Sequence, residues 1–129
     1  MRRSALVLAC LLPCLASAAP TEAHCGVESQ MLDYKHVLCT FPEATEPRSY
    51  TFVARFSGGH DDTSARLEPT IDHKPMACDT GSKTDLFGED GDVELHCRFA
   101  APRAAGAELR VLIRWSHAEF TDFELVKRD

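Results

Sequence analysis

The chain has 129 residues, with 14 basic and 20 acidic side chains and a formal net charge of −6. This length suits one domain built around a single hydrophobic core. The acidic balance argues against binding to nucleic acid or to an anionic membrane surface, because both require basic patches. It favours general solubility or attraction to a basic protein partner.

The chain begins with the layout of a secretory signal peptide. Arg2 and Arg3 precede an apolar run over residues 5–12, and small residues follow at positions 16–18. The apolar run is far shorter than the roughly 20 residues that span a bilayer, so no membrane insertion is expected. We therefore predict export and removal of residues 1–18.

Cleavage at this point would leave residues 19–129 as a single β domain. Only two arginines and no acids are lost, so 12 basic residues remain against 20 acidic ones and the net charge becomes −8. The chain contains no asparagine, and arginine outnumbers lysine ten to four. Because alanine and arginine have GC-rich codons, this composition indicates a high-GC genome, most simply a bacterial one. The expected location is the periplasm or the extracellular space.

Four cysteines remain after the leader is removed. Four cysteines in an exported domain of this size predict two disulfide bonds, for which three pairings are possible. Sequential pairing is favoured, because each sequential pair flanks one local unit of the chain: a first hairpin-like unit and a long acidic connection. The pairing would join Cys25 to Cys39 and Cys78 to Cys97.

Apolar and polar side chains alternate along most of the chain. Residues 19–29 are small and polar, and they are expected to be loose up to Cys25. The alternation predicts strands at residues 34–40, 50–56, 65–71, 76–78, 93–99, 109–115 and 118–127. About seven short strands joined by turn-rich segments are typical of a small antiparallel β-sandwich or barrel. We therefore predict an all-β fold.

Three residues predict local features within these strands. Pro69 cannot donate a ladder hydrogen bond, so its strand is expected at a sheet edge or with a bulge. Trp115 ends the best-patterned strand and is expected in the core beside a disulfide. Asp122 breaks the alternation of the last strand, which indicates a β-bulge.

The loop of residues 58–63 has the most distinctive local sequence. Its two glycines permit a tight turn or close approach of a partner. Its histidine and aspartates suit contact with a basic partner, metal binding or acid–base chemistry, but also ordinary capping of the loop backbone. The candidate partner-contacting residues are Gly58, Gly59, His60, Asp61 and Asp62.

A second acidic and glycine-containing loop covers residues 79–92. It lacks the EF-hand pattern, because Leu95 stands where such a calcium loop requires glycine. Calcium bridged between the two loops is kept as an alternative, with Asp61, Asp62, Glu89, Asp90 and Asp92 as the ligands. No other cofactor is expected. From this second loop, we predict partner contacts by Glu89, Asp90 and Asp92.

Catalytic motifs are absent from the sequence. It contains no G-x-S-x-G, C-x-x-C, H-x-x-x-H or H-E-x-x-H pattern. His96 shares the polar face of its predicted strand with Glu94 and Arg98, which predicts an ion-paired surface residue. A sandwich of this size also leaves little room for a deep substrate cleft.

These observations favour an exported, acidic β-sandwich that acts as a non-catalytic binding module for a basic protein. An inhibitor of a cell-wall hydrolase, or an immunity protein against a toxin, would fit the size, the disulfides and the charge. One alternative is a calcium- or metal-stabilised structural module of the cell envelope. A second alternative is an enzyme of unknown type.

Overall fold

A computed structural model describes residues 22–79 and 91–128, and these residues form eight strands and no helix. The strands are β1 (His24–Met31), β2 (Tyr34–Thr40), β3 (Ser49–Ser57), β4 (Ser64–Ile71), β5 (Lys74–Pro75), β6 (Val93–Ala100), β7 (Glu108–Ser116) and β8 (Glu119–Arg128). The all-β prediction is confirmed. Within the same ranges, no helix is long and apolar enough to cross a membrane.

The strands form two antiparallel sheets. The larger sheet has five strands in the order β1-β2-β7-β4-β5, and the smaller sheet has three in the order β6-β3-β8. The edge strands of one sheet do not pair with those of the other, so the described chain is an open sandwich and not a closed barrel. The predicted signal peptide lies outside the described residues.

The core lies between the two sheets because the alternating side chains of both point inward. Leu109, Val111 and Ile113 on β7 are fully buried, and Phe52 on β3 is fully buried as well. Complete burial of such a side chain stabilises the folded state by about 1.5–3 kcal/mol. On β6 the alternate residues Val93, Leu95, Cys97 and Phe99 are buried in the same core.

Both disulfides have the predicted sequential pairing. Cys25 of β1 bonds to Cys39, which lies directly opposite it on β2. Cys78 follows β5 and bonds to Cys97 on β6. Two intramolecular disulfides suit an oxidising compartment, because cytosolic thiols are kept reduced.

The first strand begins earlier than its sequence indicates. No strand was predicted before residue 34, but β1 runs from His24 to Met31 and pairs with β2 over this length. Seven of its eight residues are exposed, so the strand has no apolar alternation to reveal it. Pairing with β2 and the disulfide to Cys39 hold β1 in place instead.

The short returning strand also forms earlier than predicted, at Lys74–Pro75 rather than at residues 76–78. Asp72 and His73 both adopt positive φ, at 48° and 69°. Two consecutive left-handed residues suit the tight turn of a hairpin, so pairing begins at once with Ile71 opposite Lys74.

Three predicted irregularities have clear positions. Pro69 lies on β4, which is not the outermost strand because β5 pairs with Thr70 and Ile71, so β4 is a sheet edge only up to Pro69. Thr121 is the extra residue of a bulge on β8, one position before Asp122. Trp115 is half-buried and packs on Phe56. It does not lie beside the disulfide of Cys39, because Cys39 pairs with Leu109, at the opposite end of β7 from Trp115.

The outer face of the smaller sheet carries an ion network centred on Arg55. This guanidinium lies 3.1 Å from Glu94, 3.1 Å from Asp122 and 2.7 Å from Glu124. His96 Nε2 lies 2.5 Å from Glu94, in accord with its predicted surface pairing. Hydrogen bonds from His96 and from Arg55 lower the pKa of Glu94, and the carboxylates of Glu124 and Asp122 raise the pKa of Arg55.

The lowered pKa of Glu94 predicts a pH-dependent contribution to stability. A carboxyl whose pKa falls on folding stabilises the folded state above its ordinary value of 4.5, and this contribution is lost as the pH falls through the folded pKa. Because Glu94 is 43% exposed, Glu94→Gln should cost only about 0.2–1 kcal/mol at neutral pH. Urea unfolding at neutral and acidic pH checks this, with Glu43→Gln as the exposed control. If the free energy of unfolding depended on pH in the same way in Glu94→Gln and in the wild type, this prediction would be contradicted.

Candidate binding site at the loop end

Four connections meet at one end of the sandwich, here called the loop end. They are residues 32–33, 58–63, 91–92 and 117–118. The strand registers bring them together, because Ser57 pairs with Glu119 and Ser64 pairs with Ser116. The loop end therefore joins connections from both sheets.

Two glycines join the two loops that the sequence singled out. The Gly59 N–H donates a 2.8 Å hydrogen bond to the Gly91 carbonyl oxygen. Gly91 has φ +79°, and a Cβ placed on it would lie 2.7 Å from the Gly59 carbonyl oxygen. Only glycine permits both this backbone conformation and this close approach. The contact therefore fixes the start of β6 against the β3–β4 loop.

Gly91→Ala should lower the free energy of unfolding by about 1–2 kcal/mol, because it places a side chain in the left-handed region and against the Gly59 backbone. Gly26→Ala is the matched control, since its Cβ would meet nothing within 4 Å and its φ is ordinary. Urea unfolding of both variants measures the difference. Equal stabilities would show that the Gly59–Gly91 contact does not constrain the loops.

The tip of the β3–β4 loop is held by Thr63. Its hydroxyl accepts from the His60 N–H (2.6 Å) and donates to the His117 carbonyl oxygen (2.6 Å). The Thr63 N–H donates to the His60 carbonyl oxygen, which closes a turn around Asp61 and Asp62. These backbone groups are therefore satisfied by Thr63 and by one another. Both aspartates are exposed at the tip of the turn.

A histidine from the β7–β8 turn joins this tip. His117 has φ 58°, and its Nδ1 lies 3.4 Å from Asp62 Oδ2. The two side chains are 60% and 64% exposed, so the pair lies at the surface and not in an enclosed cavity. The His117–Asp62 pair therefore links the β7–β8 turn to the β3–β4 loop.

The exposed side chains of the loop end include aspartates, histidines and one leucine. Leu32 is 98% exposed at the β1–β2 turn, and Met31 beside it is 64% exposed. Asp33 and Asp92 are exposed as well, and residues 32–33, 58–63, 91–92 and 117–118 include no lysine or arginine. The result is a negatively charged surface with an apolar projection.

No protein-family model matches the chain, and no curated protein or solved structure matches it either. No family is assigned.

The structure places six of the eight predicted contact residues at the loop end. They are Gly58, Gly59, His60, Asp61, Asp62 and Asp92. Glu89 and Asp90 lie outside the described residues. His117 and Leu32 were not among the predicted contact residues, because the strand registers and not the local sequence bring them to the loop end.

Metal binding at these loops stays a prediction. Across residues 22–79 and 91–128, no three or more histidine, cysteine or acidic side chains are grouped so as to hold a metal ion. Asp61 and Asp62 are adjacent in sequence, but their loop is closed by protein hydrogen bonds from Thr63.

Proposed function

We propose that the protein is an exported, non-catalytic binding module that uses the loop end to bind a basic protein in the periplasm or the extracellular space. The convergence of three connections through the contacts of Gly91, Thr63 and His117 is the observation that supports this proposal most directly. These contacts hold together the connections that carry the exposed carboxylates.

The contacts between the loops favour binding, because loops that are already restricted lose less conformational freedom when the partner docks. The exposed aspartates attract a cationic surface and accelerate encounter, in a way that weakens as salt is added. Leu32 adds an apolar side chain whose burial by a partner would contribute about 1.5–3 kcal/mol. The negative charge would therefore raise the association rate, and burial of Leu32 would add to the affinity.

A cationic cell-wall hydrolase is the partner class that fits best, with the protein acting as its inhibitor or as an immunity protein. Such an enzyme acts in the same compartment as a disulfide-bonded exported domain. Its basic surface complements the exposed aspartates of the loop end.

The double variant Asp61→Asn and Asp62→Asn tests the proposal. Mature, oxidised protein is immobilised and used to capture basic proteins from its own cell envelope at low salt. We expect the captured protein to bind the variant at least about tenfold more weakly. The control Glu43→Gln with Glu46→Gln makes the same change of charge in the β2–β3 connection. Equal losses in both variants, or capture of no basic protein by the wild type, would contradict the proposal.

A further inference from the structure

The two sheets differ in width, and among the described strands none of the smaller sheet faces β1. Lys35 of β2 lies 5.1 Å from the Phe120 ring of β8, and Trp115 of β7 lies 5.3 Å from the same ring. At the opposite side, the disulfide from Cys97 of β6 reaches the segment that follows β5. β8 therefore faces β2 and β7, and β1 extends beyond the smaller sheet.

An apolar strip is open to solvent between β1 and β8. Val27 of β1 lies opposite the fully buried Val37, so both face the interior, yet Val27 is 43% exposed. Phe123 and Leu125 on the inner face of β8 are only partly buried. Lys35 spans the strip at one end, because it bonds to Gln30 of β1 and also lies over a β8 ring.

The free edge of β8 is the most regular edge among the described strands. β8 pairs only with β3, and its bulge is confined to Thr121, so residues 122–128 present unpaired backbone groups in regular spacing. The edge of β1 is interrupted by a shift between Val27 and Ser29. The edge of β6 already accepts a hydrogen bond from Asp79. Unpaired regular edges are templates for another strand.

We propose that β8 binds an extended peptide as a fourth strand of the smaller sheet, laid over the inner face of β1. The added strand would satisfy the free backbone groups of residues 122–128 and cover Val27, which is the β-strand-addition mode of recognition. A second copy does not fit this edge. Strands pair about 4.8 Å apart, so joining two β8 edges would drive the two protruding β1 strands into each other.

The residues of β8 specify the chemistry of the peptide. Residues directly opposite each other in a sheet share a face, so the peptide meets Phe123 and Leu125 with its inward side chains. Its outward side chains meet Asp122 and Glu124. These two carboxylates and Glu94 surround the one guanidinium of Arg55, which leaves this part of the outer face negative, whereas Arg98 and Arg128 lie towards the opposite end of the same face. The fitting ligand is an extended peptide in which apolar and basic residues alternate.

This site is independent of the loop end. It uses backbone groups along one sheet edge and not the acidic connections, so either site can be lost without the other. β8 ends in the basic residues Lys127 and Arg128, which would repel basic residues of the ligand. The basic positions of the ligand are therefore restricted to those opposite Asp122 and Glu124.

A synthetic peptide of alternating lysine and valine is the probe. We expect it to slow hydrogen exchange of amides in residues 122–128 of the wild type. The same peptide with methylated backbone nitrogens along one edge should bind at least about tenfold more weakly, because it cannot donate to β8. Equal binding of the two peptides, protection confined to the loop end, or no binding would each overturn the proposal.

Charge reversal provides a second test. Glu124→Lys should weaken the peptide at least about tenfold, whereas Glu43→Lys, outside the sheet, should change the affinity less than about twofold. Asp61→Asn with Asp62→Asn should leave peptide binding unchanged, which separates this site from the loop end. A dimer that protects residues 122–128 without peptide would assign the edge to a second copy and overturn the proposal.

Discussion

Phe52→Ala should lower the free energy of unfolding by about 3–5 kcal/mol, the range for removing a buried aromatic side chain from a well-packed core. Phe52 is fully buried on β3, the central strand of the smaller sheet, and stacks on Phe123 with ring centroids 5.7 Å apart. Its neighbours across the ladder are Cys97 on one side and Leu125 on the other. Strands on both sides of β3 prevent the cavity from collapsing.

Small domains are stable by about 5–15 kcal/mol in total, so this loss would leave the variant close to its unfolding threshold. Urea unfolding of oxidised protein measures it. Val126→Ala is the control, because Val126 lies on the outer face of β8 and is 36% exposed, and it should cost less than about 1 kcal/mol. Comparable losses in the two variants would show that the core does not lie between the sheets at Phe52.

The second large effect is expected when the disulfide between Cys78 and Cys97 is removed. Replacing both cysteines with alanine should cost about 2–4 kcal/mol, chiefly because the unfolded chain regains freedom between two positions that are 19 apart in the sequence. Cys97 is only 1% exposed, so its loss also leaves a small cavity in the core. The free energy of unfolding of the double variant measures the sum of both effects.

The other disulfide provides the comparison. Cys25 and Cys39 are 14 positions apart in the sequence and join strands that are already paired, so replacing both should cost no more than replacing Cys78 and Cys97. Unchanged stability in the Cys78–Cys97 double variant would contradict this account. It would mean that strand pairing alone holds the segment after β5 against β6.

The sequence predicts best those strands that are buried on one face. Residues 93–100 and 108–116 alternate cleanly, because β6 and β7 each turn one side to the core and the other outward. β1 was missed as a strand because most of its length has solvent on both faces. A strand held by pairing and a disulfide carries no apolar alternation to detect.

The loop end could be predicted only in part. The glycines and aspartates of residues 58–63 stand out by composition, and they do lie together at one end of the sandwich. Their contacts with Gly91 and His117 could not be predicted, because those residues are brought close by the registers of β6 and β7 with other strands. Composition indicates candidate residues, whereas strand topology determines which of them meet.

Titration of the mature, oxidised protein with a cationic lysozyme tests the central claim most directly, because this enzyme is a basic cell-wall hydrolase. We expect binding at low salt that weakens steeply as salt is added. Binding should also fall at least about tenfold in the variant Asp61→Asn with Asp62→Asn and stay unchanged with EDTA. No binding at low salt, or equal binding by that variant, would contradict the claim. A rise in melting temperature on adding calcium alone, reversed by EDTA, would instead identify a metal-stabilised module.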